Sequence, residues 1–424
     1  MSNKARFVHF AGWIASGRRS GAFHLAFSIL CIQGSTFAAQ LVAARFLPPE
    51  QFGMLRTIES VMAVAVLLAQ AGIPSLAVRE AAFIEDLEDR GALLQQFLVS
   101  GVVCAVVVAL VVALVAPILV DGVAAGWLRL LVWVLMLTTT TRIALGYFQG
   151  VQLVHKTAVV SAVAALVGLL GFGLLVPAFG ISGWLAARYA AEAIMLAVIV
   201  FFAWPHLKLS KPRFRTINVG MWADGAVISA SLLVRAIQDS AVIILLGWLG
   251  LSMSDIGYFA LGALLAFPVL LLPGVISNLS IARFVRSPQE PTLTRALLRR
   301  LTIAATMSAF GVALVLSLVG PALVLTVLSD YAPAVPVILI LLLAASFRGV
   351  PGTVGGLLIA TGQSATALVV NTIAATISIG AVIAIAPVYG VLGVAYAILA
   401  IEIITCAAYF WLARAILQRL AYQR

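Results

Sequence analysis

The sequence predicts an all-α polytopic membrane protein, and three observations predict it. Of 424 residues, 63% are hydrophobic and only 10% are charged. The apolar residues fall into roughly twelve stretches, each long enough to supply the ~20 residues a helix needs to cross a ~30 Å hydrocarbon core. These stretches are continuous, as in Val102–Val115, without the apolar/polar alternation of a membrane β-barrel.

In chain order the expected spans are 21–46, 56–79, 93–120, 124–148, 156–178, 180–203, 221–249, 254–281, 296–328, 333–360, 365–388 and 390–416. Residues 1–20 precede them as a cytoplasmic segment in which Phe7, Val8, Phe10, Trp13 and Ile14 alternate with Lys4, Arg6, Arg18 and Arg19. That pattern suits an amphipathic surface helix. The first apolar stretch is too long for the core of a cleavable signal. Basic residues set the orientation: Lys208, Lys211, Arg213 and Arg215 lie between the sixth and seventh spans. Arg283, Arg286, Arg295, Arg299 and Arg300 lie around the next such connection, and Arg414, Arg419 and Arg424 end the chain. The intervening connections carry mainly Glu50, Asp121, Asp255 and Asp330. Both termini are therefore expected in the cytoplasm. One internal loop dissents with Glu80, Glu85, Asp86, Glu88 and Asp89, but acidic residues weigh little in this rule. The basic connection 206–220 divides an N-lobe of six helices (21–205) from a C-lobe of six (221–416), with 417–424 as a cytoplasmic tail.

Several functional classes are excluded on these grounds. The net charge of +11 sits between spans, where it orients helices, and implies no nucleic acid. Cys31, Cys104 and Cys406 all lie within apolar stretches, and the four histidines show no metal-ligand spacing. No metal and no cofactor is expected. Connections of at most about 20 residues leave no room for a soluble catalytic domain, so an enzyme is not expected.

The two lobes carry related segments. Pro177-Ala-Phe-Gly-Ile-Ser-Gly183 returns as Pro387-Val-Tyr-Gly-Val-Leu-Gly393, and Glu192 and Glu402 follow at equal distances. Pro49-Glu-Gln-Phe-Gly53 has a fainter echo in Met253-Ser-Asp-Ile-Gly257. Six helices per repeat make the two halves parallel, an arrangement found in some transporters, with the site at the repeat interface.

Charges within spans are costly and mark function. Arg45, Arg56 and Arg129 lie close enough to helix ends to reach the interface, and Arg142 lies within two turns of one. Arg188, Arg235 and Arg348 lie too deep for that. On the seventh span Asp224, Arg235 and Asp239 share one face. They either line a water-filled cavity or leave Arg235 paired to Asp239 one turn on. Arg188 and Glu192 are spaced i, i+4, and Arg56 and Glu59 i, i+3, so local pairing competes with a site role. Arg348 has no acid near it in sequence and precedes Gly349, Pro351, Gly352, Gly355 and Gly356, where a bend or break is expected. An excess of deep guanidinium groups, which present a planar fork to phosphate, points to anionic cargo.

Leu41-Val-Ala-Ala-Arg-Phe-Leu-Pro-Pro-Glu-Gln-Phe-Gly-Met-Leu55, then Gln70-Ala-Gly-Ile-Pro74 and Arg79-Glu80, resembles the start of polysaccharide-export and O-antigen flippases of the multidrug/oligosaccharidyl-lipid/polysaccharide exporter superfamily. The likeness is specific over about residues 20–80 and looser over 146–192, where Gln149-Gly150-Val-Gln152 and Pro177–Gly183 fit. It implies two six-helix lobes forming a V around a central cavity. It also implies transfer of a polyprenyl-diphosphate-linked oligosaccharide across a bacterial inner membrane, for lipopolysaccharide O-antigen or exopolysaccharide synthesis. Mapped onto this chain, Arg56, Arg235 and Arg348 become cavity arginines for the diphosphate, with Arg188 and Arg142 beside them. Asp224, Asp239, Glu192 and Glu59 become candidates for H+ or Na+ coupling. The implied partners are the lipid-linked substrate, membrane lipids and polysaccharide polymerase machinery around a monomer. Two departures stand out: relatives have twelve to fourteen spans against twelve here, and the second and sixth spans set acids beside their arginines. The rivals are a cation-coupled drug antiporter of the same superfamily, a membrane glycosyltransferase or polymerase, and a scaffold without transport activity.

Overall fold

The computed structural model describes residues 22–84, 86–120, 122–209, 219–285, 291–360 and 363–422. The N-terminal amphipathic segment and most of the basic linker fall outside these residues, as do the side chains of Asp224 and Arg235. Among the described residues every regular element is helical.

Length sorts the helices into membrane passes. Helices Ala22–Phe46 and Val219–Trp248 have 25 and 30 residues, enough for one pass each. Pro49–Phe83, Glu88–Leu119, Met253–Ser277, Thr294–Val327 and Ser329–Leu358 are single apolar spans. Gly122–Leu131 and Val134–Gly150 make another, bent by 44°. His155–Pro205 and Ala365–Gln418, at 51 and 54 residues, would each run to about 80 Å as straight helices. That is more than twice a ~30 Å core, so each is two passes. About twelve passes result, in agreement with the hydropathy reading.

The two long helices fold at equivalent residues. Gly180 has φ 59° and ψ −131°, and Gly390 has φ 58° and ψ −157°, each three residues beyond Pro177 or Pro387. This backbone region is open essentially to glycine alone. The repeat visible in sequence is thus a repeat of a chain reversal that turns one pass into the next. Gly180→Ala or Gly390→Ala is expected to cost about 1–3 kcal/mol, measurable as reduced thermal stability of the purified protein.

The chain forms two units. The first takes the chain up to Phe46, then Ala65–Ile118 and Ala125–Ser229; the second takes Leu47–Val64, Leu119–Ala124 and Ala230 onward. Helix Pro49–Gln70 therefore contributes to both. In the first unit, Ala22–Phe46 packs along Val154–Leu209, and Ser28 and Ser161 share a hydrogen bond between their hydroxyls. Helix Ile73–Phe83, opened by Gly72 at φ 76°, lies on Val134–Gly150. A Cβ on Gly146 would fall 2.5 Å from the Pro74 carbonyl oxygen, so only glycine permits this closeness. Ile73, Leu94, Phe97, Tyr147 and Phe148 fill the core between them.

In the second unit, helices Pro49–Gln70 and Met253–Val285 meet at their N-terminal turns. A Cβ on Gly53 would stand 2.0 Å from the Met253 carbonyl oxygen, and one on Gly257 would stand 2.1 Å from that of Pro49. The faint echo between these two segments is thus a reciprocal contact. Tyr331 caps it, donating to the Leu47 carbonyl at 3.0 Å and packing edge-on to Phe52 and Tyr258. Many apolar side chains point outward, among them Leu114 at 77% and Leu318 at 72% exposure. A soluble surface does not tolerate that density, and a lipid-facing one requires it.

Candidate functional site

The second unit encloses a cavity of about 290 Å³ with a charged wall. Arg348 sits where helix Val335–Ser346 ends and Gly349–Ala360 begins. The break expected at the Gly/Pro cluster thus falls at Arg348 itself, in the residues Phe347 and Arg348. Its Nε donates to Glu402 Oε1 at 2.6 Å and its Nη2 to Asp239 Oδ1 at 3.0 Å. Three distant parts of the sequence converge here: the seventh pass supplies Asp239, the tenth Arg348 and the twelfth Glu402. Glu402 is 2% exposed, so its charge depends on the guanidinium beside it. Arg56 and Glu59 form their own pair on another part of the wall, with Nη1 to Oε2 at 2.8 Å.

Among the described residues, buried polar atoms of this wall without a hydrogen-bond partner include the side-chain carbonyl oxygen of Gln238, a residue 5% exposed, and Nε of Arg56. Buried polar atoms without partners are uncommon and mark places where a ligand or water completes the bonding. Charged residues of the wall comprise Arg56 and Arg348 against Glu59, Asp239 and Glu402, one negative charge in excess.

A related cluster lies in the first unit. Arg188 Nη2 reaches Glu192 Oε1 at 3.0 Å, and Arg142 on helix Val134–Gly150 interacts electrostatically with both. Glu192 and Glu402 occupy matching places in the repeat, so each unit sets a sixth-pass glutamate against a fourth-pass arginine. The third member differs, Arg188 in the first unit and Asp239 in the second. The first cluster thereby carries one positive charge in excess and the second one negative.

Sequence spacing foresaw the Arg56–Glu59 and Arg188–Glu192 pairs. It did not foresee the two acids on Arg348, which approach from 109 and 54 residues away. Glu402 was absent from the expected site residues; its equivalence to Glu192 was the signal that pointed to it. Asp239 pairs with Arg348 across helices. Asp224 and Arg235, expected on the same face as Asp239, lie outside the described side chains. Arg129, expected to anchor at an interface, donates from Nε to the Ala113 carbonyl at 3.1 Å. Among the described residues no group of three metal-ligating side chains occurs.

Residues 42–336 match the family described as polysaccharide biosynthesis protein. The chain belongs to that family. Members of the MOP superfamily share the fold of this polysaccharide biosynthesis protein. An inward-facing multidrug resistance MATE transporter aligns at TM-score 0.77 and 12% identity, covering 95% of this chain and 99% of the other. An outward-facing MATE transporter gives 0.69 and 12%, over 95% and 96%. A MOP superfamily transporter from Pyrococcus furiosus, whose binding pocket is described as reversed in polarity, gives 0.66 and 12%, over 94% and 95%. No curated protein matches the sequence. The family and the fold together make this a multi-pass membrane protein whose structural relatives are transporters.

Proposed function

We propose that this protein is a flippase carrying a polyprenyl-diphosphate-linked oligosaccharide across a bacterial inner membrane, with both termini in the cytoplasm. Membership of a polysaccharide biosynthesis family on a transporter fold supports the cargo class. The observation that carries the mechanism is the Asp239–Arg348–Glu402 triad in the wall of the chamber.

A diphosphate cannot be desolvated in hydrocarbon without compensating partners, so its path needs fixed donors. Arg348 presents five N–H groups, of which its two acids engage two. Protonation or cation binding at Asp239, the more exposed acid with 48% of its side chain open, weakens its hold on Nη2. The freed edge then meets phosphate bidentately. Glu402 keeps the guanidinium in place throughout. Arg142 and Arg188, in the net-positive cluster, offer a second anion contact, and Arg56 a third. Coupling thus arises because substrate anion and carboxylate compete for one guanidinium. Glu192 and Glu59 are the remaining acids able to take part, and Asp224 and Arg235 share the helix of Asp239. The polysaccharide polymerase machinery receives the delivered lipid-linked unit.

The negative excess of the chamber favours one other reading, a cation-coupled antiporter with a cationic cargo. A single experiment separates the two. The full chain is reconstituted in vesicles, and translocation of a labelled lipid-linked oligosaccharide is compared with efflux of a lipophilic cation. The flippase reading expects oligosaccharide transfer, reduced at least tenfold in Asp239→Asn. Cation efflux without oligosaccharide transfer would replace it with the antiporter.

A further inference from the structure

We infer that the second unit holds an anionic glycerophospholipid in a groove separate from the charged chamber. A cavity of about 700 Å³ opens between helices Pro291–Val327, Gly349–Ala360 and Ser364–Tyr422. It falls within the ~300–1,000 Å³ of typical ligand sites. Its lining shares no residue with the chamber around Arg348.

The groove has two chemistries. Arg295 and Arg299, one turn apart near the start of their helix, and Arg414, near the end of its helix, bring three guanidinium groups to it. Val350, Val354 and Phe410 provide apolar wall. Val354 is buried at 1% exposure, whereas Phe410 is 66% exposed. Among the described residues no carboxylate pairs with any of the three arginines. This contrasts with Arg56, Arg188 and Arg348, each of which has an acid within 3.0 Å.

Three cations with no carboxylate partner among the described residues, beside an apolar trough, complement a lipid that joins phosphate to acyl chain. Basic pockets between transmembrane helices bind such headgroups. A zwitterionic lipid brings its own ammonium to the arginines and gains less. A free phosphate leaves Ile303 and Phe410, 51% and 66% exposed, uncovered. The occupant is therefore an anionic lipid of the surrounding leaflet. It is not the transported polyprenyl diphosphate, whose donors lie in the other cavity.

The test uses the full chain, stripped of lipid and exposed to mixed micelles of phosphatidylcholine and cardiolipin, with bound lipid weighed by native mass spectrometry. Wild-type protein is expected to retain cardiolipin in preference to phosphatidylcholine. Near a membrane surface each arginine contributes about fivefold, so the R295Q/R299Q/R414Q variant should lose retention on the order of a hundredfold. The corresponding triple lysine variant should keep most of it. Equal retention by wild type and the glutamine variant overturns the inference, as does displacement of cardiolipin by a polyprenyl diphosphate. Should the glutamine variant fail to fold, cardiolipin with a photoactivatable acyl chain decides on the native protein. Labelling of Ile303 or Phe410 supports the groove, and labelling confined elsewhere overturns it.

Discussion

Arg348→Ala is expected to destabilise the protein by about 3–5 kcal/mol and to abolish transport. Removal of one partner strands buried charge, and here two carboxylates lose the same counter-ion. Glu402, at 2% exposure, bears the larger share. Thermal unfolding of the purified protein reads the first effect and vesicle translocation the second. Structural and functional roles separate when the acids are neutralised as well. An R348A/D239N/E402Q variant should recover most of the lost stability, because no uncompensated charge remains in the wall. It should still fail to transport, because the guanidinium is gone. Recovery of both would reduce the triad to a structural clasp. Loss of stability in the triple variant equal to that in R348A alone would show that packing around Arg348, rather than its charge, carries the effect.

Gly53→Ala and Gly257→Ala should each cost at least the ~1–3 kcal/mol typical of an overfilled interior. The new methyl in either case meets a backbone carbonyl oxygen at about 2 Å, and no rotamer change can move a backbone atom aside. The two changes press on one contact between the same two helical turns, so their effects should be far from additive in the double variant. Unfolding temperatures of the two single variants and the double variant measure this directly. Additive losses would mean that the two turns do not bear on one another.

Hydropathy made the passes legible because the bilayer demands length and apolarity from each helix independently of its neighbours. The chain reversals at Gly180 and Gly390 were legible for a related reason, since only glycine occupies that backbone region and the repeat printed it twice. Local ion pairs were readable too: Arg56 meets Glu59, and Arg188 meets Glu192, within one helical turn. What lay beyond reach was convergence. Nothing near Arg348 in the chain announces Asp239 or Glu402, because helix packing, not spacing, brings them together. Packing likewise groups Leu47–Val64 with residues beyond 230, and the close approach of Gly53 and Gly257 falls within that group.

That grouping bears on how the protein is made. Leu47 meets the hydroxyl of Tyr331 across 284 residues of chain. At ~5–20 residues per second, roughly 15 to 60 s of synthesis separate the two. Throughout that interval the start of the helix beginning at Pro49 has left the ribosome without the tyrosine that caps it. It carries Arg56 into the insertion machinery, yet Glu59 one turn away cancels the charge within the helix itself. Beyond Glu50 in its first turn, the early helix can therefore wait in lipid with its charges paired until the later ones arrive.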